Sequence, residues 1–139
     1  MKVIFWGTRG SLPGSFSVTD VREKIAAALK ASRGHDVSNA DTIDAFIDGV
    51  LPFSVAGTYG CNTACLELQC GHSEYLLCDA GSGIRDFSNQ FMEGPNAGEG
   101  NTFHVVMSHL HWDHIIGFPF FAPAYIPGNR IVVHGYHDA

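Results

Sequence analysis

Basic residues and long apolar stretches are both scarce in this sequence of 139 residues. Lysine and arginine number 8 against 14 aspartate and glutamate residues, which gives a formal net charge of -6, and the basic residues are scattered. This pattern argues against a broad nucleic-acid surface, although bound divalent cations would still allow anionic substrates. No run reaches the roughly 18 apolar residues of a membrane helix, and the apolar stretch 1–7 is too short for a signal peptide. We therefore expect a cytoplasmic protein with no membrane segment.

Paired cysteine motifs are absent as well. The four cysteines, Cys61, Cys65, Cys70 and Cys78, include no Cys-x-x-Cys pair. Their spacing argues against a zinc knot, and reducing conditions in the cytoplasm argue against disulfides. We expect small reduced thiols, either buried or in loops.

The apolar residues recur with the periods of strands and helices, and they predict a layered domain of the α+β class. Strands are expected at 2–6, 64–69, 74–78, 102–107 and 130–134, and the second and third of these are expected to form a hairpin. Helices are expected from a cap at Ser17 or Thr19 to about Arg33, at 41–50 and at 84–92. After Pro52 the pattern predicts short strands broken by glycine.

Four potential metal ligands, His109, His111, Asp113 and His114, lie within six residues at the end of a predicted buried strand. Imidazole nitrogen and carboxylate oxygen suit zinc, iron and manganese. Alternation along an extended segment lets His109 and His111 bind one ion together, while Asp113 and His114 lie where the chain turns and can reach a second. Two adjacent ions would make a shared water acidic and supply a hydroxide nucleophile. The alternatives are a histidine-rich strand end without function and a structural or regulatory metal.

The pattern His109-x-His111-x-Asp113-His114 resembles the signature of the metallo-β-lactamase superfamily. Three further segments are similar, in chain order, to a bacterial branch related to ribonuclease Z and to cyclic-nucleotide phosphodiesterases. They are FWGTRGS at 5–11, YGCNT at 59–63 and DAGSGIR at 79–85.

The resemblance implies an αββα sandwich with two divalent metal ions. Zinc is the expected metal, and manganese and iron are the alternatives. The resemblance assigns His109 and His111 to the first ion and Asp113 and His114 to the second, and it gives Asp113 a catalytic role in orienting the bridging hydroxide. It also implies that Asp79 supports the metal loop without binding metal directly. An Asp79 that only caps the following turn is the alternative, and both roles are compatible.

The chain resembles only the N-terminal portion of that family, whose members carry three further ligands after the signature. His134 and His137 follow too soon to replace them, and we expect both to be ordinary surface or strand histidines. We expect residues 1–139 to form a single, incomplete domain with a helical insertion at 15–55. Half a sandwich would leave an apolar sheet face uncovered, so we expect either the N-terminal portion of a longer protein or a truncated product that pairs with another chain, with a homo-oligomer as one way to cover the face. The chain alone is then expected to bind metal weakly and to be inactive.

The leading hypothesis is a metal-dependent, phosphodiesterase-like hydrolase that acts on a small phosphodiester or nucleotide. The aromatic run 118–125 is expected to pack in the core, with stacking on a substrate as the alternative, and phosphate contacts from Arg9 or Arg85 have weak support. The alternative function is a non-catalytic metal- or nucleotide-binding module, or a fragment that works only by association.

Overall fold

The computed structural model describes residues 1–70 and 74–136, and it divides the chain into two compact units. The first unit combines Met1–Gly14 with the chain from Gly60 onward, and the second is Ser15–Tyr59. The second unit contains the predicted insertion at 15–55. The interpretation of residues 1–139 as one domain stays a prediction.

The first unit is built on a five-stranded sheet in the order β1-β2-β3-β4-β5. The strands are β1 (Lys2–Gly7), β2 (Cys65–Gln69), β3 (Tyr75–Cys78), β4 (Thr102–Val106) and β5 (Arg130–His134). The pairs β1–β2 and β2–β3 are antiparallel, whereas β3–β4 and β4–β5 are parallel. All five predicted strands are confirmed, and the turn of the predicted hairpin lies partly outside the described residues.

The helices are, in chain order, α1 (Val18–Ala31), α2 (Ala40–Gly49), α3 (Phe53–Ala56), α4 (Ile84–Glu93) and α5 (Trp112–Ile115), followed by 3-10 turns at Phe118–Phe120 and Ala122–Tyr125. A mixed sheet with several helices agrees with the predicted α+β class. None of the helices in the described ranges has both the length and the apolar character needed to cross a membrane.

One face of the sheet carries the core. Leu77, Phe103 and Val105 are fully buried there, and they form one cluster with residues of α4 and with Phe121. The ring of Phe103 meets the ring of Phe121 edge-on, with 5.1 Å between their centroids. Burial of each such side chain contributes about 1.5–3 kcal/mol. This face therefore holds β3 and β4, whose ends carry the candidate site, in a fixed position.

The other face of the sheet is apolar and partly open. Side chains alternate along a strand, so this face carries Val3, Phe5, Leu66, Leu68, Leu76, Cys78, Val106 and Val132. None of them is buried, and Phe5 is 66% exposed. The uncovered apolar face expected from the sequence is therefore present, and the oligomer that would cover it stays a prediction.

The second unit contains two well-capped helices. At the start of α1 the Ser17 hydroxyl accepts from the Asp20 N–H at 3.1 Å, and the Asp20 carboxylate accepts from the Ser17 N–H at 2.9 Å. Asn39 and Thr42 form the equivalent reciprocal cap on α2. Both predicted helices are confirmed, with Ser17 as the first cap.

The apolar stripe of α1 remains outside any core. Its periodic positions Val21, Ile25 and Leu29 are 45%, 54% and 67% exposed, and Phe46 of α2 is the buried residue of the described second unit. The short strands expected after Pro52 are β2 and β3, and helix α3 (Phe53–Ala56) precedes them where no element was predicted. The Lys24 ammonium donates to the backbone carbonyls of Ser54 and Gly57, both at 2.6 Å, and so satisfies carbonyls at the end of this short helix.

Candidate metal centre

The histidine motif lies at the carboxyl end of β4, beside the carboxyl end of β3. Because the two strands are parallel, Asp79, which follows β3, meets the loop that follows β4. The Asp79 N–H donates to the Val106 carbonyl at 2.9 Å, and the Ala80 N–H donates to the His114 carbonyl at 2.8 Å. Backbone contacts therefore fix the two loops against each other before any side chain is considered.

The Asp79 carboxylate is the centre of a dense hydrogen-bond network. It accepts from the Ser108 N–H at 2.8 Å, from the Ser108 hydroxyl at 2.8 Å and from His114 Nδ1 at 2.8 Å. Asp79 is 7% exposed, and its backbone has a φ of +63°, which side-chain-bearing residues rarely adopt. Strain of this kind is typical of positions held by function. Asp79 thus contacts the loop of the motif, as a supporting residue would, and its role toward a metal stays a prediction.

The contact with Asp79 decides which nitrogen of His114 is available. A carboxylate only accepts hydrogen bonds, so Nδ1 of His114 carries the proton and a neutral ring has its lone pair on Nε2. That Nε2 lies 3.4 Å from Oδ2 of Asp113. Two donors that share a tetrahedral zinc ion at about 2.1 Å would be about 3.4 Å apart. This donor pair fits one divalent ion.

A backbone group from the N-terminal part of the chain fixes the Asp113 carboxylate. Its Oδ2 accepts from the Ser11 N–H at 2.9 Å, and Ser11 has a φ of +67°. This backbone N–H holds the pKa of Asp113 below its ordinary value, and the nearby histidines add to the effect. Within the described chain, Ser11 and Asp79 are the non-glycine residues with positive φ, and both contact the motif. Backbone strain is therefore concentrated at this site.

The other two predicted ligands lie close by and are exposed. The ring centroids of His109 and His111 are 4.5 Å apart, and those of His109 and His114 are 4.1 Å apart. The Ser108 hydroxyl lies 3.1 Å from Nδ1 of His109. The structure thus gathers all four predicted residues, but within residues 1–70 and 74–136 no three histidine, cysteine, aspartate or glutamate side chains are arranged to hold one ion.

Gly81 is a point of close backbone approach at the site. A Cβ atom there would lie 2.5 Å from the Asp113 carbonyl oxygen and 2.6 Å from that of Ala64. Both neighbours are backbone, so neither moves easily out of the way. Glycine at this position is what lets Asp79 approach the motif.

Two cavities adjoin the motif. One, of about 290 Å³, includes His109 and Ser108 in its lining, and the other, of about 410 Å³, is lined by apolar groups such as Leu110, Trp112 and Phe118. Met107, Leu110 and Val133 line both cavities, so the two are neighbours. An apolar compartment therefore opens beside the candidate ligands.

The remaining candidates from the sequence have other surroundings. Within the aromatic run, the expected core packing is confirmed for Phe121, whereas Phe118 lines the apolar cavity. Arg85 pairs with Asp86 at 3.3 Å. Nε2 of His134 lies 2.9 Å from Nδ1 of His104, and His137 lies outside the described residues. All four cysteines are free, and burial raises the pKa of Cys65 to about 12.

Sequence reasoning missed Ser11 and Ser108 as parts of the site. Ser108 directly precedes the motif at a strand end, where a hydroxyl commonly bonds to nearby loops, so its position was a usable signal. Ser11 is 102 residues from Asp113, and it contributes through its backbone, which no residue type reveals.

Comparison with known proteins identifies no relative. The chain matches no protein-family model, no curated protein and no solved structure. The physical arrangement of the site therefore has to carry any functional conclusion.

Proposed function

We propose that the chain is part of a metal-dependent hydrolase of the phosphodiesterase type, with His109 and His111 as ligands of one divalent ion and Asp113 and His114 as ligands of a second. One observation carries the proposal. Asp79 fixes the His114 ring so that Nε2 faces the Asp113 carboxylate at 3.4 Å. Two lone-pair atoms held this close favour a cation between them, and an oriented histidine is what metal sites require.

The residues of the chain have separable roles in this proposal. Bound divalent ions would acidify a coordinated water and stabilise negative charge on a phosphodiester. Asp113, fixed by the Ser11 N–H, orients the attacking water. Asp79 and Ser108 hold the ring of His114. The exposed His109 and His111 face solvent, from which both metal and substrate arrive.

We also propose that the first unit is half of an αββα sandwich of the metallo-β-lactamase type. Its mixed sheet has one face covered by α4 and the aromatic core and one apolar face without buried residues, which is the pattern such a half requires. A second layer, supplied by more chain or by a second copy, would cover the open face.

For the substrate we propose a small phosphodiester. The two neighbouring cavities provide a space lined in part by Ser108 and His109 and an apolar space beside Trp112, which suits an ester with an apolar or aromatic group. The few scattered basic residues argue against a long nucleic acid.

The test combines metal binding with hydrolysis. Zinc and manganese binding is measured by titration calorimetry, and turnover is followed with bis(4-nitrophenyl) phosphate and with a chromogenic β-lactam. We expect metal-dependent hydrolysis of the phosphodiester, and not of the lactam, from the complete domain in which the open sheet face is covered, whereas the chain alone is expected to bind metal weakly and to be inactive. His111→Ala should abolish both binding at the first position and turnover, whereas His134→Ala, which changes a histidine outside the motif, should leave both unchanged.

Each other outcome selects a different conclusion. Unchanged turnover in His111→Ala would refute the assigned ligands. Metal binding by the complete domain without turnover of either substrate would favour the non-catalytic metal- or nucleotide-binding module, which calorimetry with a cyclic nucleotide then tests. Hydrolysis of the lactam alone would refute the phosphodiester as substrate.

A further inference from the structure

A third cavity lies away from the histidine motif, toward the opposite end of the sheet. It has a volume of about 310 Å³, and it lies where β2 ends, β3 begins and α4 ends. Its lining consists of aromatic and amide side chains, one carboxylate and the loop after α4, namely Trp6, Glu67, Gln69, Tyr75, Phe87, Gln90, Phe91, Gly94, Pro95 and Asn96. The volume is at the lower end of the range of small-molecule sites.

Glu67 is a buried carboxylate in this cavity. It is 5% exposed, and it lies on the core face of β2. Its Oε2 accepts from the Trp6 indole N–H at 3.1 Å, and its Oε1 accepts from the Gln69 amide at 2.8 Å. Both donors are neutral. Among the residues that the structure describes, no lysine, arginine or histidine forms a salt bridge with Glu67.

A buried carboxylate without a cation is unfavourable by itself. Removal of an ionised group from water costs several kcal/mol unless an opposite charge compensates, and neutral hydrogen bonds recover only part of this. The cavity keeps one side of Glu67 open to a ligand. A cation that entered the cavity would supply the missing charge.

Aromatic rings form the walls around this carboxylate. The planes of Trp6 and Phe87 meet at 75° with 5.8 Å between centroids, and those of Tyr75 and Phe91 meet at 88° with 5.2 Å. These four side chains pack edge-to-face in pairs, and all four line the cavity. The negative faces of such rings attract organic cations, most strongly where water is excluded.

The C-terminal end of helix α4 is a third feature that favours a positively charged ligand. Its last turn carries no basic residue, and Gln90, Phe91 and Gly94 at this end line the cavity. The carbonyl groups at a helix C-terminus carry a partial negative charge, which favours a cation nearby. Carboxylate, aromatic rings and helix end therefore all select positive charge.

We propose that this cavity binds a small organic cation, an alkylated ammonium group. A divalent metal ion fits poorly because the lining offers one carboxylate and its aromatic walls are not ligands. An anion would meet the Glu67 carboxylate. A neutral apolar group would leave that charge uncompensated. The proposal is independent of the metal centre.

The experiment is titration calorimetry of the full chain with tetramethylammonium chloride and, as the matched neutral probe, tert-butanol of similar shape and size. We expect tetramethylammonium to bind in the millimolar range or tighter, and tert-butanol to bind about tenfold more weakly or not at all. Sodium chloride at equal ionic strength is the blank. This comparison uses only the unaltered chain.

Variants then locate the site. Glu67→Gln keeps the size of the side chain and should weaken tetramethylammonium binding by about tenfold or more, whereas Glu23→Gln, an exposed carboxylate of α1, should not change it. Circular dichroism establishes that each variant is folded. Equal binding of both probes, an unchanged affinity in Glu67→Gln, or no binding of tetramethylammonium would each overturn the proposal.

Discussion

Asp79 and Glu67 are buried carboxylates of the same unit, and their surroundings differ: Asp79 follows β3 beside the motif, whereas Glu67 lies in the middle of β2 and lines the other cavity. Asp79 is 7% exposed and accepts from a backbone N–H, a hydroxyl and an imidazole. Glu67 is 5% exposed and accepts from an indole and an amide, beside an open cavity. The first carboxylate is enclosed by donors from the segment that follows β4, and the second lines a cavity that a ligand can enter.

The difference separates two uses of a buried charge. A carboxylate surrounded by fixed donors orients those donors, and at Asp79 the oriented group is the His114 ring. A carboxylate with few donors and aromatic neighbours instead provides an electrostatic attraction for something that arrives from outside. The proposed functions of the two sites follow from this contrast, so paired substitutions of Asp79 and Glu67 test it.

The largest expected effect is on metal affinity. Asp79→Asn places an amide where the carboxylate now accepts from His114, so the ring loses its fixed tautomer and orientation. We expect zinc affinity to fall by about 10–100-fold, as is typical when a carboxylate behind a histidine ligand is changed. Titration calorimetry with a competing chelator measures it.

Glu67→Gln is the matched control, since it makes the same chemical change at a buried carboxylate outside the candidate metal centre. Zinc affinity should remain as in the unaltered chain. Equal losses in the two variants would show that the contrast between the two carboxylates is wrong and that both act only through general stability.

The second effect is on the free energy of unfolding in the absence of metal. In Asp79→Asn the amide N–H groups face the donors of Ser108 and His114, and one buried donor is left without an acceptor. We expect a loss of about 1–3 kcal/mol. In Glu67→Gln the shape is kept and an uncompensated buried charge is removed, so we expect a change within about 1 kcal/mol, toward higher stability.

Urea denaturation followed by circular dichroism measures both values, and coincident transitions by fluorescence test the two-state assumption. The sign of the change in unfolding free energy distinguishes the two roles of Glu67. A Glu67→Gln variant as destabilised as Asp79→Asn would show that Glu67 is a structural hydrogen-bond acceptor rather than a group that faces a ligand.

Much of the fold was predictable because its signals are local. The alternation in β5 and the apolar spacing in α4 place both elements to within one residue. Helix α3 was missed because it depends on the Lys24 ammonium, which comes from another helix. The exposed stripe of α1 was not predicted either, since periodicity shows which side is apolar but not whether anything covers it.

The candidate site likewise has one part that follows from local sequence and another that depends on distant residues. Its four proposed ligands lie within six residues, so their proximity follows from the sequence alone. The partner of His114 is 35 residues away, and that of Asp113 is 102 residues away, and both meet the motif only because strands pair in this order. Glu67 gave no signal, because a glutamate in an alternating strand is ordinarily expected to face solvent.

A smaller effect is expected from Ser108→Ala. The change removes the hydroxyl hydrogen bonds to Asp79, while the Ser108 N–H still donates to the same carboxylate. We expect a loss of about 1 kcal/mol in unfolding free energy and a smaller fall in zinc affinity than in Asp79→Asn. The double variant tests whether the two residues act together, because independent contributions would add and shared ones would not.

The smallest expected effect is a change in the pKa of Cys65, which responds to the charges of both Asp79 and Glu67. Burial is the main reason that the pKa of Cys65 is raised from 9.0 to about 12, and the charges of Asp79 and, more weakly, Glu67 also raise it. Because the neutral thiol is favoured in the folded state, this contribution to stability is complete below pH 9 and is lost as the pH rises toward 12.

Asp79→Asn should therefore lower the pKa of Cys65, and Glu67→Gln should lower it by less. Alkylation of Cys65 is followed by mass spectrometry across alkaline pH, with the exposed Cys70 as internal control. The midpoint is compared rather than the absolute rate, because a less stable variant also opens more often. If Glu67→Gln gave the larger shift, the stronger field at Cys65 would come from the cavity end, and the assignment of Asp79 as the dominant charge near this thiol would be wrong.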